Sequence, residues 1–243
     1  DPHTGEILLL VSYPSFDPQA FEINDPITAE YFTDKSKPLF NRALLGTYPP
    51  GSVFKPIIAA GALEEGAISE SDTIEDNGFI QAGPQRFHNW LYTKYGRTDG
   101  DVDLRKGLQR SNDIYFYKVG EALTAGKIKS WADTFGYGKR TGILLDEATG
   151  VIPSDFWKRE TIDERWFLGD TYNLSIGQGY LLTTPLQVAQ SIAPFANGGK
   201  LCSPRILRTN TDENSSLAKE FYGSADPECL DLGLSEETIT AVR

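Results

Sequence analysis

A proline near the start of a long apolar segment fixes where the most apolar helix of this chain can begin. The segment covers residues 53–65 within the sequence YPPGSVFKPIIAAGALEEG. Inside a helix, a proline clashes with the carbonyl group four residues earlier, and for Pro56 that residue is Ser52. We therefore expect a helix that begins at Ser52 or Val53 and ends before Gly66, a residue type that commonly terminates helices.

The start of this helix brings a hydroxyl and an amine together. Ser52 lies at the N-terminus, where free N–H groups and the positive end of the helix dipole are found, and Lys55 follows on the same face. The apolar residues around Lys55 indicate burial, and burial and the dipole both lower the pKa of a lysine. A neutral lysine beside a serine is a general base beside its nucleophile. We therefore predict Ser52 as nucleophile and Lys55 as base.

The S-x-x-K pattern is weak evidence by itself, because it recurs at residues 216–219 in a polar segment. A capping serine beside a surface lysine is the simplest alternative. Context favours the catalytic interpretation at Ser52, since only this copy precedes an apolar helix.

A second polar motif, Ser111-Asn112-Asp113, precedes the segment IYFYKVGEAL. All three residue types are good helix caps, so capping is again the alternative. In the functional interpretation, Ser111 and Asp113 line the far wall of a cleft, where a second hydroxyl relays a proton and a side-chain oxygen orients a polar substrate. The same S-x-D pattern at residues 224–226 lies too close to residues 216–219 for the two to form opposite walls.

Charge and ligand types exclude two classes of function. The chain has a net charge of −11 without a basic cluster, which argues against a nucleic acid partner. His3 and His88 are the only histidines and no CxxC occurs, so the sequence lacks zinc-ligand spacing. Residues 99–103 resemble the start of a calcium loop but lack its later glycine and glutamate. We predict neither a metal nor a cofactor.

The cysteines and the apolar runs bear on location. Cys202 and Cys229 are the only cysteines, and both a disulfide and two free thiols remain open. The longest apolar run, residues 7–11, is too short to span a bilayer. The chain begins without methionine in the middle of a turn, so we expect it to be part of a longer protein whose membrane anchor lies outside it.

The remaining patterns predict one domain over residues 1–243, mostly helical with a few strands. The expected elements are a strand at residues 6–13, an irregular segment with a short helix at 15–40, a loop-rich segment at 70–103, a helical segment interrupted by SND at 104–123, a helix at 127–135 with a 3.6-residue apolar period, a helix that begins after Thr184 and ends at 197–199, and a polar loop at 209–229.

Five segments in sequence order resemble the transpeptidase domain of class B penicillin-binding proteins, most closely the rod-shape, cell-elongation type. The second motif has Asp113 where many members of the family have asparagine, a feature of the rod-shape type. The resemblance implies the α+β, penicillin-binding/β-lactamase-like transpeptidase fold, which is an antiparallel sheet with a helical subdomain, and it implies that the chain is truncated before the last strands of that fold. The segments are DPHTGEILLLVSYPSFDPQAF, NRALLGTYPPGSVFKP, SNDIYFYKVG, FGYGKRTGILLDEATGVIPS and GDTYNLSIGQGYLLTTPLQVAQ.

The resemblance also implies a reaction, a peptidoglycan D,D-transpeptidation. Ser52 attacks the penultimate D-alanine of a stem peptide, Lys55 takes the serine proton, Ser111 relays a proton to the leaving amine, and Asp113 orients the donor. A second stem peptide then resolves the acyl-enzyme. β-Lactams are expected to acylate Ser52, and cell-elongation proteins with a glycosyltransferase are the expected partners, on the extracytoplasmic side of the cell membrane.

Two further features follow from the resemblance. It places the loop of Gly177 and Gln178 near the cleft as a substrate-binding element. The third motif of the family, Lys-Thr/Ser-Gly on an edge strand, is absent: the sequence KRTG at residues 139–142 contains an extra arginine, and the true motif is expected after residue 243. Two alternatives remain open, a D,D-carboxypeptidase or β-lactamase that uses water as acceptor, and a non-catalytic scaffold or β-lactam-binding module.

Overall fold

The computed structural model describes residues 1–207, 216, 220 and 228–243. Its helices, labelled in chain order, are α1 Gln19–Glu22, α2 Ile27–Thr33, α3 Lys55–Glu64, α4 Trp90–Tyr95, α5 Leu104–Arg110, α6 Asp113–Leu123, α7 Ala125–Thr134, α8 Asp155–Ile162, α9 Leu168–Ser175, α10 Pro185–Asn197 and α11 Glu236–Val242. Its strands are β1 Ile74–Asp76, β2 Phe79–Ala82, β3 Gln85–His88, β4 Gly100–Val102, β5 Lys200–Cys202 and β6 Cys229–Asp231.

Helix α3 forms the centre of the core. Ile57, Ile58, Ala59 and Ala60 are consecutive and all fully buried, so the helix has no solvent face along this stretch. A helix that is apolar on all sides is stable only when other elements surround it. Helices α5, α6, α7 and α11 provide that cover.

A short 3₁₀ turn, Gly51–Phe54, leads into α3. Pro56 lies in the first turn of α3, where its missing N–H costs little. The prediction from Pro56 is therefore confirmed for the position of the helix, with a tighter 3₁₀ start than the sequence indicated. Other local predictions are confirmed as well, since the helical segment breaks at residues 111–112 and Thr184 caps α10 through the backbone N–H of Gln187.

The strands form three small antiparallel pairs, β1 with β4, β2 with β3, and β5 with β6. In the last pair Cys202 lies opposite Cys229, and the two residues form a disulfide. The choice between a disulfide and free thiols, which the sequence left open, is resolved in favour of the disulfide.

The predicted strand at residues 6–13 is wrong. Glu6 forms an isolated parallel bridge with Arg205, and the chain then continues without a ladder. Leu8 and Leu9 are 78% and 81% exposed, beside an apolar groove of about 640 Å³ that α10 lines on its other side. Apolar character alone does not make a strand, because a strand needs a partner for its backbone groups.

Other expectations need smaller corrections. Residues 15–40 contain two short helices, α1 and α2, instead of one, and residues 70–103 contain β1 to β4 and helix α4. The polar segment at residues 209–229 lies largely outside the described residues, together with Lys219, Ser224 and Asp226 of the repeated patterns. Within the described part of the chain, no helix combines the length and apolarity needed to cross a membrane.

Candidate active site

The turn that carries Ser52 rests on the loop around Gly177. The backbone N–H of Gly51 donates to the carbonyl oxygen of Gly177 over 2.8 Å. A Cβ atom at Gly177 would lie 2.2 Å from the Gly51 carbonyl oxygen, and the φ angle of Gly177 is +71°. Both the close approach and the left-handed backbone require glycine here. The adjacent Ser52 is exposed to solvent, which its predicted role as nucleophile requires.

A chain of hydrogen bonds joins the two predicted motifs. The Ser111 hydroxyl donates to Ser52 Oγ over 2.8 Å, and Lys55 Nζ donates to Ser111 Oγ over 3.0 Å. Lys55 Nζ also donates to the Ser111 carbonyl oxygen over 2.8 Å. No direct hydrogen bond joins Lys55 to Ser52 within the described residues, so Ser111 links the Lys55 amine to the Ser52 hydroxyl.

Lys55 is buried, with 1% of its surface exposed, and it contacts the face of the Phe116 ring at 5.4 Å. Burial lowers the pKa of the Lys55 amine below its usual range, while the neighbouring Asp113 carboxylate acts in the opposite direction. The net shift is downward. The structure thus agrees with the expected direction and adds an opposing charge that the sequence argument did not include.

Ser111 owes its position to the junction between α5 and α6. It has a φ of +52°, a left-handed backbone that is costly for a residue with a side chain. The next residue, Asn112, caps α6 by accepting from the backbone N–H of Tyr115 over 2.9 Å. The two helices meet at this sharp turn, which directs the Ser111 hydroxyl toward Ser52.

The carboxylate of Asp113 is engaged inside the protein. Its Oδ1 accepts from Lys55 Nζ over 2.7 Å and its Oδ2 accepts from the backbone N–H of Trp90 over 3.1 Å. Sequence reasoning assigned Asp113 to orienting the donor peptide. The geometry instead favours an ion-pair role for Asp113, because both oxygens already have protein partners.

Comparison with known proteins identifies the family of this chain. The sequence profile described as "Penicillin binding protein transpeptidase domain" matches residues 1–238. The chain belongs to the penicillin-binding protein transpeptidase family. It is 37% identical over 215 residues to the peptidoglycan D,D-transpeptidase MrdA of Haemophilus influenzae, covering 86% of this chain and 32% of that protein. It is 34% identical over 222 residues to MrdA of Escherichia coli K12, covering 89% of this chain and 34% of that protein.

Solved structures of penicillin-binding proteins have the same fold. PBP2 of Pseudomonas aeruginosa in complex with WCK 5153 has a TM-score of 0.76 and 38% identity over 82% of this chain and 43% of that one. PBP2 of Helicobacter pylori in complex with MreC has a TM-score of 0.84 and 31% identity over 100% of this chain and 42% of that one. The α+β transpeptidase fold is therefore confirmed, and the chain spans about a third of the length of the curated relatives it matches.

Sequence reasoning missed a buried polar cluster behind the motifs of this transpeptidase domain. Asp76 is 1% exposed, and its Oδ2 accepts from the side-chain amides of Asn89 and Asn112 over 2.6 and 2.8 Å. Its two oxygens also accept from the backbone N–H groups of Gly78 and Asp99. Asn89 in turn accepts from the backbone N–H of Asp113. Asp76 thereby fixes the backbone on which Ser111 and Asp113 are mounted.

The Gln178 side chain completes the surroundings of Ser52. Its Nε2 lies 3.4 Å from the position that a Cβ atom on Gly51 would take. Its backbone N–H donates to the Asn173 carbonyl oxygen over 2.9 Å, which ties the loop to the end of α9. The structure thus brings together Ser52, Lys55, Ser111, Asp113, Gly177 and Gln178, the six residues selected from the sequence.

Proposed function

We propose that this chain carries the acylation machinery of a peptidoglycan D,D-transpeptidase. The observation that carries the proposal is the hydrogen-bond chain from Lys55 Nζ through Ser111 Oγ to Ser52 Oγ. An exposed hydroxyl linked to a buried amine is the arrangement that serine acyl transfer needs. The peptidoglycan D,D-transpeptidase name of the relatives points to the D-alanyl-D-alanine end of a stem peptide as the substrate.

The proposed acylation step uses the hydrogen-bond chain from Lys55 through Ser111 to Ser52. Ser52 Oγ attacks the carbonyl carbon of the penultimate D-alanine, and its proton passes through the Ser111 hydroxyl to neutral Lys55. The C–N bond of the tetrahedral intermediate breaks, and the proton returns through Ser111 to the amine of the departing D-alanine. The burial of Lys55 supports this role, because a lowered pKa increases the neutral fraction of the amine.

In this mechanism Asp113 controls the charge of the base. With Asp113 ionised, the protonated form of Lys55 is stabilised at 2.7 Å, which makes the amine a stronger proton acceptor during attack. Gln178 and Gly177 form the cleft edge beside Ser52. The second half-reaction forms a new C–N bond from the amine of a second stem peptide to the acyl carbon, breaks the ester bond to Ser52, and returns the amine proton to the Ser52 oxygen.

The setting of the reaction is part of the proposal. The disulfide between Cys202 and Cys229 supports a location on the extracytoplasmic side of the cell membrane, because disulfides persist in oxidising compartments. A solved relative is a complex of PBP2 with MreC, and another belongs to a peptidoglycan synthase complex that coordinates polymerization and crosslinking. We propose equivalent partners for this chain, a cell-elongation protein and a glycosyltransferase.

Intact mass spectrometry after incubation with benzylpenicillin tests the acylation step. We expect one stable adduct that Ser52→Ala abolishes, while Ser130→Ala, at an exposed serine on α7, retains it. Hydrolysed penicillin that accumulates over many turnovers would instead indicate a β-lactamase. An adduct that persists in Ser52→Ala, or no adduct in the full-length protein, would contradict the proposal.

A further inference from the structure

Lys158 is a buried cation that the acylation mechanism does not use. It lies on α8 with 3% of its surface exposed. A charged side chain at this depth needs partners that compensate for the loss of water. Its ammonium donates to Asp170 Oδ2 over 2.9 Å and pairs with Glu164 at 3.2 Å. Burial opposes the charge, but the bonds to these two carboxylates outweigh burial and raise the pKa of Lys158, so it stays protonated.

The first contact of Lys158 is with the start of α9. Asp170 lies in the first turn of that helix, and its Oδ2 also accepts from the backbone N–H of Phe167 over 2.8 Å. The Asp170 side chain is 15% exposed and that of Glu164 is 54% exposed, so solvent screens Asp170 less and it is the stronger partner. The Phe167 ring contacts two cations, with its centroid 5.1 Å from Lys158 Nζ and 4.9 Å from the Arg165 guanidinium. Lys158 is thereby anchored at the start of α9.

The second contact of Lys158 is with the loop that follows α9. Its ammonium lies 5.7 Å from the centroid of the Tyr180 ring. The neighbouring Trp157 packs against the same ring, with the two centroids 5.4 Å apart. A cation over an aromatic face is attracted to it, so α8 holds Tyr180 through two adjacent side chains. Lys158 therefore joins the start of α9 to the loop after its end.

The segment held in this way supports the turn of Ser52. Gly177 lies three residues before Tyr180, and its carbonyl oxygen accepts from the backbone N–H of Gly51, next to Ser52. The backbone N–H of Gly177 donates to the Leu174 carbonyl oxygen over 3.0 Å, which ties the same residue to α9. A displacement of Tyr180 or of α9 would therefore move the backbone on which the Ser52 turn rests.

The sequence of this loop does not fix its conformation. Gly177 and Gly179 both have a left-handed backbone, with φ angles of +71° and +73°. Glycine has more backbone freedom than any other residue, so a loop with two glycines depends on contacts from outside to remain in one conformation. Lys158 and Trp157 supply such contacts at Tyr180.

We propose that Lys158 is a positioning residue for the acylation of Ser52. The inference rests on the proposed function and adds a residue outside the hydrogen-bond chain that carries the proton. Lys158 acts through Tyr180 and Asp170, which together hold the loop of Gly177 against the Ser52 turn. Loss of the cation displaces the Ser52 hydroxyl, and a small displacement slows acylation strongly, because attack needs the reacting atoms in line.

The test follows benzylpenicillin acylation of the full-length protein over time by intact mass spectrometry. It yields two quantities, the fraction of molecules that form an adduct and the rate constant of adduct formation at a fixed penicillin concentration. Lys158→Met keeps most of the side-chain length and removes the charge. We expect its rate constant to fall about tenfold, while nearly all molecules still react. A merely structural role would instead lower the reactive fraction and leave the rate constant of the folded molecules unchanged.

Three further variants complete the test. Lys158→Arg keeps a cation beside the same carboxylates and rings, so it should recover most of the rate constant. Lys129→Met, at an exposed lysine on α7 that pairs with Asp133, should change neither quantity. Asp170→Asn weakens the anchor of Lys158 but keeps an oxygen for the Phe167 N–H, and it should also lower the rate constant. It carries the test if Lys158→Met does not fold.

The outcomes separate the two proposals. If the unsubstituted protein is not acylated, the proposed function fails. If it is acylated and the rate constant of Lys158→Met lies within about twofold of its own, the positioning role is refuted while the proposed function stands. An unchanged rate constant in Asp170→Asn refutes the positioning role in the same way. A Lys158→Arg variant as slow as Lys158→Met would also overturn the inference, because the cation would then not be what holds the loop.

Discussion

Lys55 and Asp113 form a buried ion pair, with Nζ and Oδ1 2.7 Å apart and side chains 2% and 12% exposed. Removing one partner of such a pair leaves an uncompensated charge, so the protein relieves the cost through a change in protonation. In the proposed mechanism, the pair therefore sets the pH at which the neutral amine of Lys55 becomes available to accept the Ser52 proton through Ser111.

Asp113→Asn should shift the pH dependence of acylation toward lower pH. In the proposed mechanism neutral Lys55 is the active form, so the acylation rate is expected to rise with pH and to level off above the pKa of the amine. Burial lowers the pKa of Lys55 and Asp113 raises it. Without Asp113 the pKa falls further, so the rising part of the rate–pH profile moves to lower pH. The measurement is the rate of benzylpenicillin acylation against pH.

A matched control for this experiment is Asp133→Asn, which removes a carboxylate from an exposed pair with Lys129 on α7. It should leave the pH profile unchanged, because surface pairs are screened by solvent. A shift of the Asp113→Asn limb to higher pH would show that Asp113 does not stabilise the charged lysine.

Ser111→Ala should slow acylation by about a hundredfold or more, within the range measured for loss of acid–base catalysis. The variant removes the only hydroxyl that links Lys55 to Ser52 in the described structure. Ser111→Gly removes the same hydroxyl and relieves the left-handed strain at φ +52°. We expect both variants to be equally slow, with the glycine variant the more stable in thermal unfolding. Near-normal acylation in either variant would exclude the relay.

Asp76→Ala should destabilise the domain by about 3 kcal/mol, because it leaves several buried donors without an acceptor. The free energy of unfolding in urea measures the change. Asp72→Ala, at an exposed carboxylate that accepts from the Ser69 backbone, is the control and should cost much less. Equal losses of unfolding free energy in the two variants would mean that the buried cluster around Asp76 stabilises the domain no more than an exposed turn does.

Gly177→Ala should reduce the rate of acylation by benzylpenicillin far more than Gly83→Ala does. The new Cβ atom at Gly177 would meet the Gly51 carbonyl oxygen at 2.2 Å and displace the turn of Ser52. Gly83 has a similar left-handed φ, +59°, with no atom within 4 Å of an added Cβ, so its variant isolates the backbone penalty of about 1 kcal/mol. If both variants were acylated at the same rate, the contact between Gly177 and Gly51 would not position the nucleophile.

Local rules explain what the sequence could predict. Pro56 located the start of α3, and the residues around position 111 located the break between α5 and α6, because capping and proline geometry depend on near neighbours. The first motif was found for the same reason, since Ser52 and Lys55 lie within one helical turn, and the second because its three residues are contiguous. The fold class followed from the family resemblance.

Long-range partners explain what the sequence could not predict. The direction of the Asp113 carboxylate depends on Lys55 and on the Trp90 backbone, which are far away in sequence. The sequence around Asp76 shows only an acidic residue shortly before a glycine, which does not predict that its carboxylate is buried with several hydrogen-bond donors. The segment at residues 6–13 has the composition of a strand, but strand formation depends on a partner that composition does not reveal.

The exposed apolar segment at residues 7–11 has a consequence for how this chain behaves in solution. Its exposed Leu8, Leu9 and Val11 lie on a backbone that forms no ladder with the described residues. Exposed apolar side chains of this kind favour association between molecules, so purified material is expected to associate as its concentration rises. Leu9→Lys would place a charge in this apolar segment and so reduce association, without touching the Ser52 turn.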